Sequence, residues 1–293
     1  PIASSAASDV YKRQAHNSGG KVIFQVRGKV PRHSMKAREV RIPAALVDAV
    51  VVDATQQQGY DLVYDAALSG QDRRDDPEPP QPAFSSRLVI ARRAQQELHD
   101  NAVINFGFGI PDQIAKLIDR DGHAERYFQT IEHGTYGGRL MDGDLFGYAM
   151  NPSCMIDGPS QFDFYSGGGL DIAFLGFGEI DAAGNVNVSK LGGNTVGPGG
   201  FIDIAQNARK VVFCGTFDTG GARLETGDGT LRVTSHGRIP KLVEKVDQIT
   251  FSGPQASVQG QHVIYVTERA VFELREDGVH LVEIAPGLSL IHI

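Results

Sequence analysis

Residues 131–138, IEHGTYGG, set one carboxylate, Glu132, among three glycines and two hydroxyl-bearing side chains. A solvated surface glutamate needs no such neighbours, and a glycine-rich turn needs no glutamate. At the end of an apolar segment, RYFQTIE (126–132), a carboxylate can serve as a nucleophile or can bind backbone amides, and the pattern leaves both open. Open α/β sheets bind ligands beyond the carboxyl ends of their strands. Glycines 134, 137 and 138 are expected to clear space there. His133 is adjacent, but successive strand residues point to opposite faces, so a Glu–His dyad is not expected.

Two further glycine clusters have chemical potential. NFGFGIPD (105–112), with Gly107 and Gly109, reads as strand, glycine pair and helix start, a context that can hold an anion on backbone N–H groups. It lacks the third glycine of a dinucleotide fingerprint and the lysine of a P-loop, so a plain tight turn is an equal reading. GPGGF (197–201), with Gly199 and Gly200, precedes another helical stretch, FIDIAQNA, and can offer N–H groups to a developing oxyanion or can simply turn. GGGLD (167–171) reads as a structural turn. The histidines are scattered, with no HExxH or other compact cluster, so no metal site is expected. Ser166 and Ser189 lack the GxSxG elbow. Cys214, within VVFCG, reads as a buried core thiol. With Cys154 it makes no disulfide framework, which suits a reducing cytoplasm.

The elements that must position these groups alternate. KVIFQVR (21–27) and VDAVVVD (47–53) are short, β-branched strands. GQDRRDDPEPPQP (70–82), with four prolines and six charges, breaks every pattern and reads as a linker or long exposed loop. RLVIARRAQQELHD (87–100) lines Leu88, Ala91, Ala94 and Leu98 along one helix face. NAVINFG (101–107) is a buried strand, and the helix after it carries Pro111 and Asp112 in its first turn and Ile110, Ile114 and Leu117 on one face. DIAFLGFGEID, NVNVS and KVVFCGTF are expected strands, with FIDIAQNA a short helix before the last of them. LRVTSHG, QITFSG, HVIYVTERAVFELRE and GVHLVEIAPG make the end of the chain β-rich. The expectation is an α/β fold: an open, mostly parallel sheet with β hairpins near the end.

The net charge of −7 gives no support for non-specific nucleic-acid binding. The longest apolar runs, such as VDAVVVDA, are too short to span a bilayer. Both ends carry a separate signal. DVYKRQ (9–14) can be encoded by GAT GTG TAT AAG AGA CAG, whose reverse complement translates as LSLIHI (288–293). One DNA segment read on both strands would give both ends, as a transposase sequencing adaptor would. Residues 1–14 and 288–293 are therefore expected to be adaptor-derived tails that do not pack on the core, and the natural protein is expected to be longer.

NFGFGIPD, IEHGTYGG, NPSCMID, QFDFYSGGGLDIAFLGFGEIDAAGNVNVSK and GPGGFIDIAQNARKVVFCGTF, in that order, make 86–287 resemble the C-terminal half of the family I CoA-transferases. The single-chain acetate, propionate and 3-oxoacid CoA-transferases are the most similar in look. GKVIFQVRGKV and IPAALVDAVVV resemble the closing segment of the N-terminal half. The resemblance implies that 15–69 is the remnant of a preceding, similar domain, 70–85 a linker, and 86–287 the half carrying the nucleophile. It implies that Glu132 attacks an acyl-CoA and passes through a glutamyl-CoA thioester, with coenzyme A as substrate and no permanently bound cofactor. Asn151 resembles an asparagine whose amide helps form an oxyanion hole, although a turn asparagine before Pro152 is the other reading. Gly199 and Gly200 resemble the glycine pair near the thioester. The expected partners are acyl-CoA and small carboxylic acids, in a cytoplasmic protein that is a homo-oligomer when intact. The alternatives are an inactive CoA-binding fragment or regulatory module of the same fold, and a sugar-phosphate isomerase on a similar scaffold. Without most of the N-terminal half, weak or no activity and an exposed apolar surface are expected.

Overall fold

The computed structural model describes residues 12–40, 42–77 and 82–293. Its centre is a nine-stranded sheet. In chain order its strands are β3 (Val103–Phe106), β4 (Phe128–Ile131), β5 (Thr135–Tyr136), β6 (Cys154–Met155), β7 (Ile172–Gly176), β8 (Lys210–Cys214), β9 (His262–Val266), β10 (Ala270–Arg275) and β11 (Gly278–Ile284). In space the order is β11-β10-β9-β8-β7-β3-β4-β5-β6. The run from β9 to β4 is parallel throughout, and antiparallel strands extend it on both sides. The expected mostly parallel sheet with late hairpins is what forms.

The central strands are apolar along their length because both faces are covered, as parallel sheets require. In β8, Val212 and Cys214 face one core while Val211 and Phe213 face the other. In β7, Ile172 and Phe174 go to the first core and Ala173 and Leu175 to the second. The first core is closed by α1 (Ser86–Gln95) and α2 (Ile110–Arg120), through Ile90, Ala94, Ile114 and Ile118. The second is closed by α3 (Gly158–Ser166), α4 (Phe201–Asn207) and α5 (Gly253–Val258), through Tyr165, Ile204 and Ala256. Helix α1 stops at Gln95, short of the expected end, yet Leu98 still packs on the first core.

Two helices were not expected from periodicity. Helix α3 is nine residues, too short and polar for an apolar stripe, and starts by local chemistry: the Asp157 carboxylate accepts from Ser160 N, and Pro159 occupies the first turn. Helix α5 repeats the device with Ser252 and Pro254. It displaces the strand expected at QITFSG, of which only a bridge between Val186 and Phe251 survives. No described helix is long and apolar enough to cross a membrane.

From β3 the chain moves outward to β4, then returns to lay β7 on the other side of β3 and continues through β8 to β9. The direction of winding reverses at β3. A crevice opens at such a reversal, beyond the carboxyl ends of the strands.

The N-terminal segment makes a separate parallel ribbon, β1 (Ile23–Val26) with β2 (Ala49–Val52). All of β2 is solvent-exposed, including Val50 at 51% and Val51 at 50%. Farther on, Ala67 and Leu68 bury against Met150 of the main domain. The tail expected at 1–14 falls mostly outside the described residues; residues 12–17 are helical, and Arg13 lies 3.6 Å from Asp157. At the other end Leu290 and Ile291 are exposed, but Ile293 does pack against the second core.

The charged stretch after residue 70 is a strap bound to the main domain. Arg74 pairs with Asp65 of the preceding segment at 2.7 Å, while the main-domain Arg139 guanidinium grips Asp76, its Nε donating at 2.6 Å. Replacing Asp76 by alanine should loosen the strap by about 1 kcal/mol. Protease cleavage within 70–85 should then accelerate about fivefold where opening is rapid. Unchanged cleavage would mean that Arg139 does not hold the strap.

Candidate active site

A cavity of about 1140 Å³ occupies the crevice. The segments entering it leave the carboxyl ends of three strands: Gly107 and Phe108 after β3, Glu132 and His133 after β4, and Phe177 to Glu179 after β7. Strand β4 ends at Ile131, so Glu132 and His133 belong to a turn and not to a strand. Both residues line the cavity.

Beneath the glutamate the elements are locked by buried polar contacts. Thr130 Oγ1 donates to the Ile104 carbonyl at 2.8 Å and lies 2.7 Å from the Tyr165 hydroxyl, which accepts from Asn105 Nδ2 at 3.2 Å. With its own proton committed, Thr130 accepts from Tyr165. This ties β3, β4 and α3 together two residues before Glu132, where a shift of either strand would be felt at once.

The glycines of IEHGTYGG do something other than clear room for a ligand. A Cβ on Gly134 would lie 2.3 Å from the Ile156 carbonyl oxygen, and one on Gly138 would lie 2.4 Å from that of Met150. One on Gly137 would lie 2.7 Å from Ser153 Oγ. The space is taken by the chain at 150–156, which pairs alongside through β5 and β6. The glycine that meets the glutamate is distant in sequence: a Cβ on Gly200 would lie 2.6 Å from Glu132 Oε2. Gly200 has an ordinary φ of −79°, so its bareness serves proximity alone.

The other candidate residues divide. Gly107, Gly199 and Gly200 line the cavity. The amides of Gly199 and Gly200 donate to no acceptor among the described residues, and Gly199 sits at φ 57°. Gly109 is not in the lining; its N–H donates to Asp112 Oδ2 at 3.1 Å, capping α2. Asn151 is also absent from the lining. Its Nδ2 donates to the Arg74 carbonyl at 2.8 Å and its Oδ1 accepts from the Arg74 amide at 3.1 Å. The amide expected to stabilise an oxyanion is thus spent on holding the strap, and the residue adopts φ 56°, a conformation asparagine tolerates.

Two carboxylates line the cavity, and their surroundings differ. Glu179 Oε2 accepts from Asn187 Nδ2 at 2.7 Å and from Asp247 N at 2.9 Å, a structural commitment. Glu132 receives no hydrogen bond and forms no ion pair among the described residues. Burial alone pushes its pKa from 4.5 up to about 7. Sequence reading missed Glu179 and Lys241, a cation in the same wall. Glu179 lies in the apolar run FGFGEID, whereas Lys241 follows Ile239 and Pro240 with no local signal at all.

No family model matches the sequence. The chain is 43% identical over 282 residues to the acetate CoA-transferase YdiF of Escherichia coli O157:H7, a match covering 96% of this chain and 53% of that protein. It is 42% identical over 284 residues to the caffeate CoA-transferase of Acetobacterium woodii, covering 94% of this chain and 54% of the relative. The crystal structure of the YdiF apoenzyme from E. coli O157:H7 superposes with a TM-score of 0.86 at 42% identity, over 97% of this chain and 53% of that one. A second crystal structure of that protein, described as a thioester complex with CoA, gives a TM-score of 0.85. The chain spans about half the length of the curated relatives it matches.

The contrast between the two carboxylates has a thermodynamic signature. A folded-state pKa raised from 4.5 to about 7 makes ionised Glu132 a liability to the fold. The cost is absent below pH 4.5, grows as pH rises to about 7, and is complete above that, on the order of 2–3 kcal/mol. Glu132→Gln should therefore melt at the wild-type temperature at pH 4 and several degrees higher at pH 8; equal melting at both would deny the burial. For Asn151, alanine should cost about 1–2 kcal/mol through two lost hydrogen bonds and left-handed strain. Glycine should recover the backbone share. An unaltered melting temperature in Asn151→Ala would remove its strap-holding role.

Proposed function

We propose that the chain is part of a family I CoA-transferase, and that Glu132 is the nucleophile of a ping-pong transfer of coenzyme A between an acyl-CoA and a small carboxylic acid. The observation that carries the reading is the unpaired carboxylate set against bare Gly200 at the crevice of the sheet. A carboxylate is a weak nucleophile. Withdrawal from water and from hydrogen-bond donors makes it more basic and more reactive, and at pH above about 7 it is mostly ionised.

In the first step a Glu132 oxygen attacks the thioester carbonyl, whose π electrons move onto oxygen. Collapse of that tetrahedral species expels the CoA thiolate and leaves an acyl–glutamyl anhydride. The thiolate then adds to the glutamyl carbonyl and expels the acyl carboxylate, leaving a glutamyl-CoA thioester. An acceptor carboxylate reverses both steps. The first adduct carries its negative oxygen on the thioester carbon, bonded to a Glu132 oxygen, and the second on the Glu132 carboxyl carbon, each close to the bare Cα of Gly200. The uncommitted N–H groups of Gly199 and Gly200 are our candidates for its donors, a role in which one donor contributes roughly 3–4 kcal/mol. The cavity, about 1140 Å³, exceeds the roughly 300–1,000 Å³ usual for small ligands and has room for a pantetheine arm. The free thiols Cys154 and Cys214 suit the cytoplasm in which this reading sets the protein.

A second reading, a CoA-binding fragment without turnover, is favoured by the length of the chain relative to its curated relatives. Trapping separates the two. Incubation of the complete enzyme with acetyl-CoA and no acceptor should attach CoA covalently, and borohydride reduction should leave an alcohol that peptide mass spectrometry assigns to residue 132. Glu132→Gln should give no adduct and no transfer. Glu132→Asp withdraws the carboxylate by one methylene and should cost about a hundredfold in rate. Binding of CoA with no adduct at residue 132 would favour the second reading, and transfer by Glu132→Gln at the wild-type rate would end the nucleophile assignment.

A further inference from the structure

We propose that Lys241 is the cationic contact for the carboxylate of the small acid, an assignment that rests on the transfer reaction above and names a residue for its second substrate. Lys241 lines the same cavity as Glu132. Its Nζ donates to the Phe177 carbonyl at 3.3 Å and lies 5.1 Å from the centre of the Phe177 ring. Among the described residues it forms no ion pair with a carboxylate.

The nearby acids are already engaged. Glu179 holds Asn187 and Asp247. Glu268 accepts from Phe217 N at 2.9 Å and lies 3.3 Å from the Arg269 guanidinium. Burial pushes the Lys241 pKa down, Glu268 opposes that from a distance, and Arg87 adds to it. The wall therefore keeps water from a charge that no close protein anion balances, an arrangement an anionic ligand would relieve.

The mounting of this lysine is rigid. Its carbonyl accepts from Ile180 N at 2.8 Å, and the preceding Ile239–Pro240 pairs with Asp218–Thr219. Asp218 is held in turn by the fully buried Arg269, whose Nη2 donates to Oδ2 at 2.7 Å. A long flexible side chain thus has a fixed base and a cation–π seat. The ligand class follows from the count of charges. Among the described residues, Lys241 and His133 are the only basic ones in the lining. A hydrated, multiply charged phosphate group calls for several cations, whereas one partly buried ammonium matches one carboxylate.

The test uses this chain with Lys241→Met, which removes the charge, and Lys241→Arg, which keeps it. Saturation-transfer NMR with acetate alone reads carboxylate binding without any turnover. Wild type and Lys241→Arg should show transfer to acetate, and Lys241→Met should lose it. In steady-state assays with acetyl-CoA and propionate, Lys241→Met should raise the KM for propionate about tenfold or more, the effect of losing one hydrogen bond to a charged group. The KM for acetyl-CoA should stay within about twofold. An unchanged acid KM, a rise confined to acetyl-CoA, or equal acetate saturation in wild type and Lys241→Met would overturn the assignment. The acetate experiment needs no turnover, so it decides the role of Lys241 separately from whether this chain alone transfers CoA.

Discussion

The arrangement depends on holding one carboxylate, Glu132, half-buried with no described group to neutralise it. Ionised, it works against the fold, so the rest of the molecule must hold it in place by other means. The cores on the two faces of the sheet supply that, and the Thr130–Tyr165–Asn105 contacts stop the strand beneath it from sliding. The approach of Gly200 from a segment 68 residues along the chain then brings main chain to the carboxylate where any side chain would intrude.

The sheet was legible where the chain repeats itself in kind. KVVFC, IAFLG and HVIYV are short apolar runs bounded by breakers, and each became a central parallel strand because burial on both faces demands that pattern. Helices α1 and α2 were legible from an apolar face and from Pro111. Helices α3 and α5 were not, because so few residues cannot display a period, and their signals were an Asp or Ser followed by a proline two residues on. The strap after residue 70 looked like a loose linker because its attachments, Arg139 and Asn151, lie far along the sequence.

The site was legible in part for a similar reason. Glu132 and the glycine pair at 199–200 announce themselves as local clusters, and the structure brings them together. Asn151 kept two readings because a local pattern cannot say which backbone its amide will meet. Its partner is Arg74, and only the folded chain shows it. Lys241 had no chance of detection, since what distinguishes it is the lack of a carboxylate beside it, a property of three-dimensional neighbours.

The glycines at 134 and 138 bear on how such chains change over generations. Each has a left-handed φ, 94° and 72°, and each presses against a carbonyl oxygen. Any replacement is penalised twice, by conformation and by collision, whatever becomes of the chemistry next door. Residue 132 is different, since losing its charge relieves the fold. A descendant released from selection for turnover would therefore surrender the glutamate early and keep the glycines long afterwards. The glycine pattern is an inherited mark of the turn, and under the proposed nucleophile role the letter at position 132 is the one that reports whether the chemistry is still under selection.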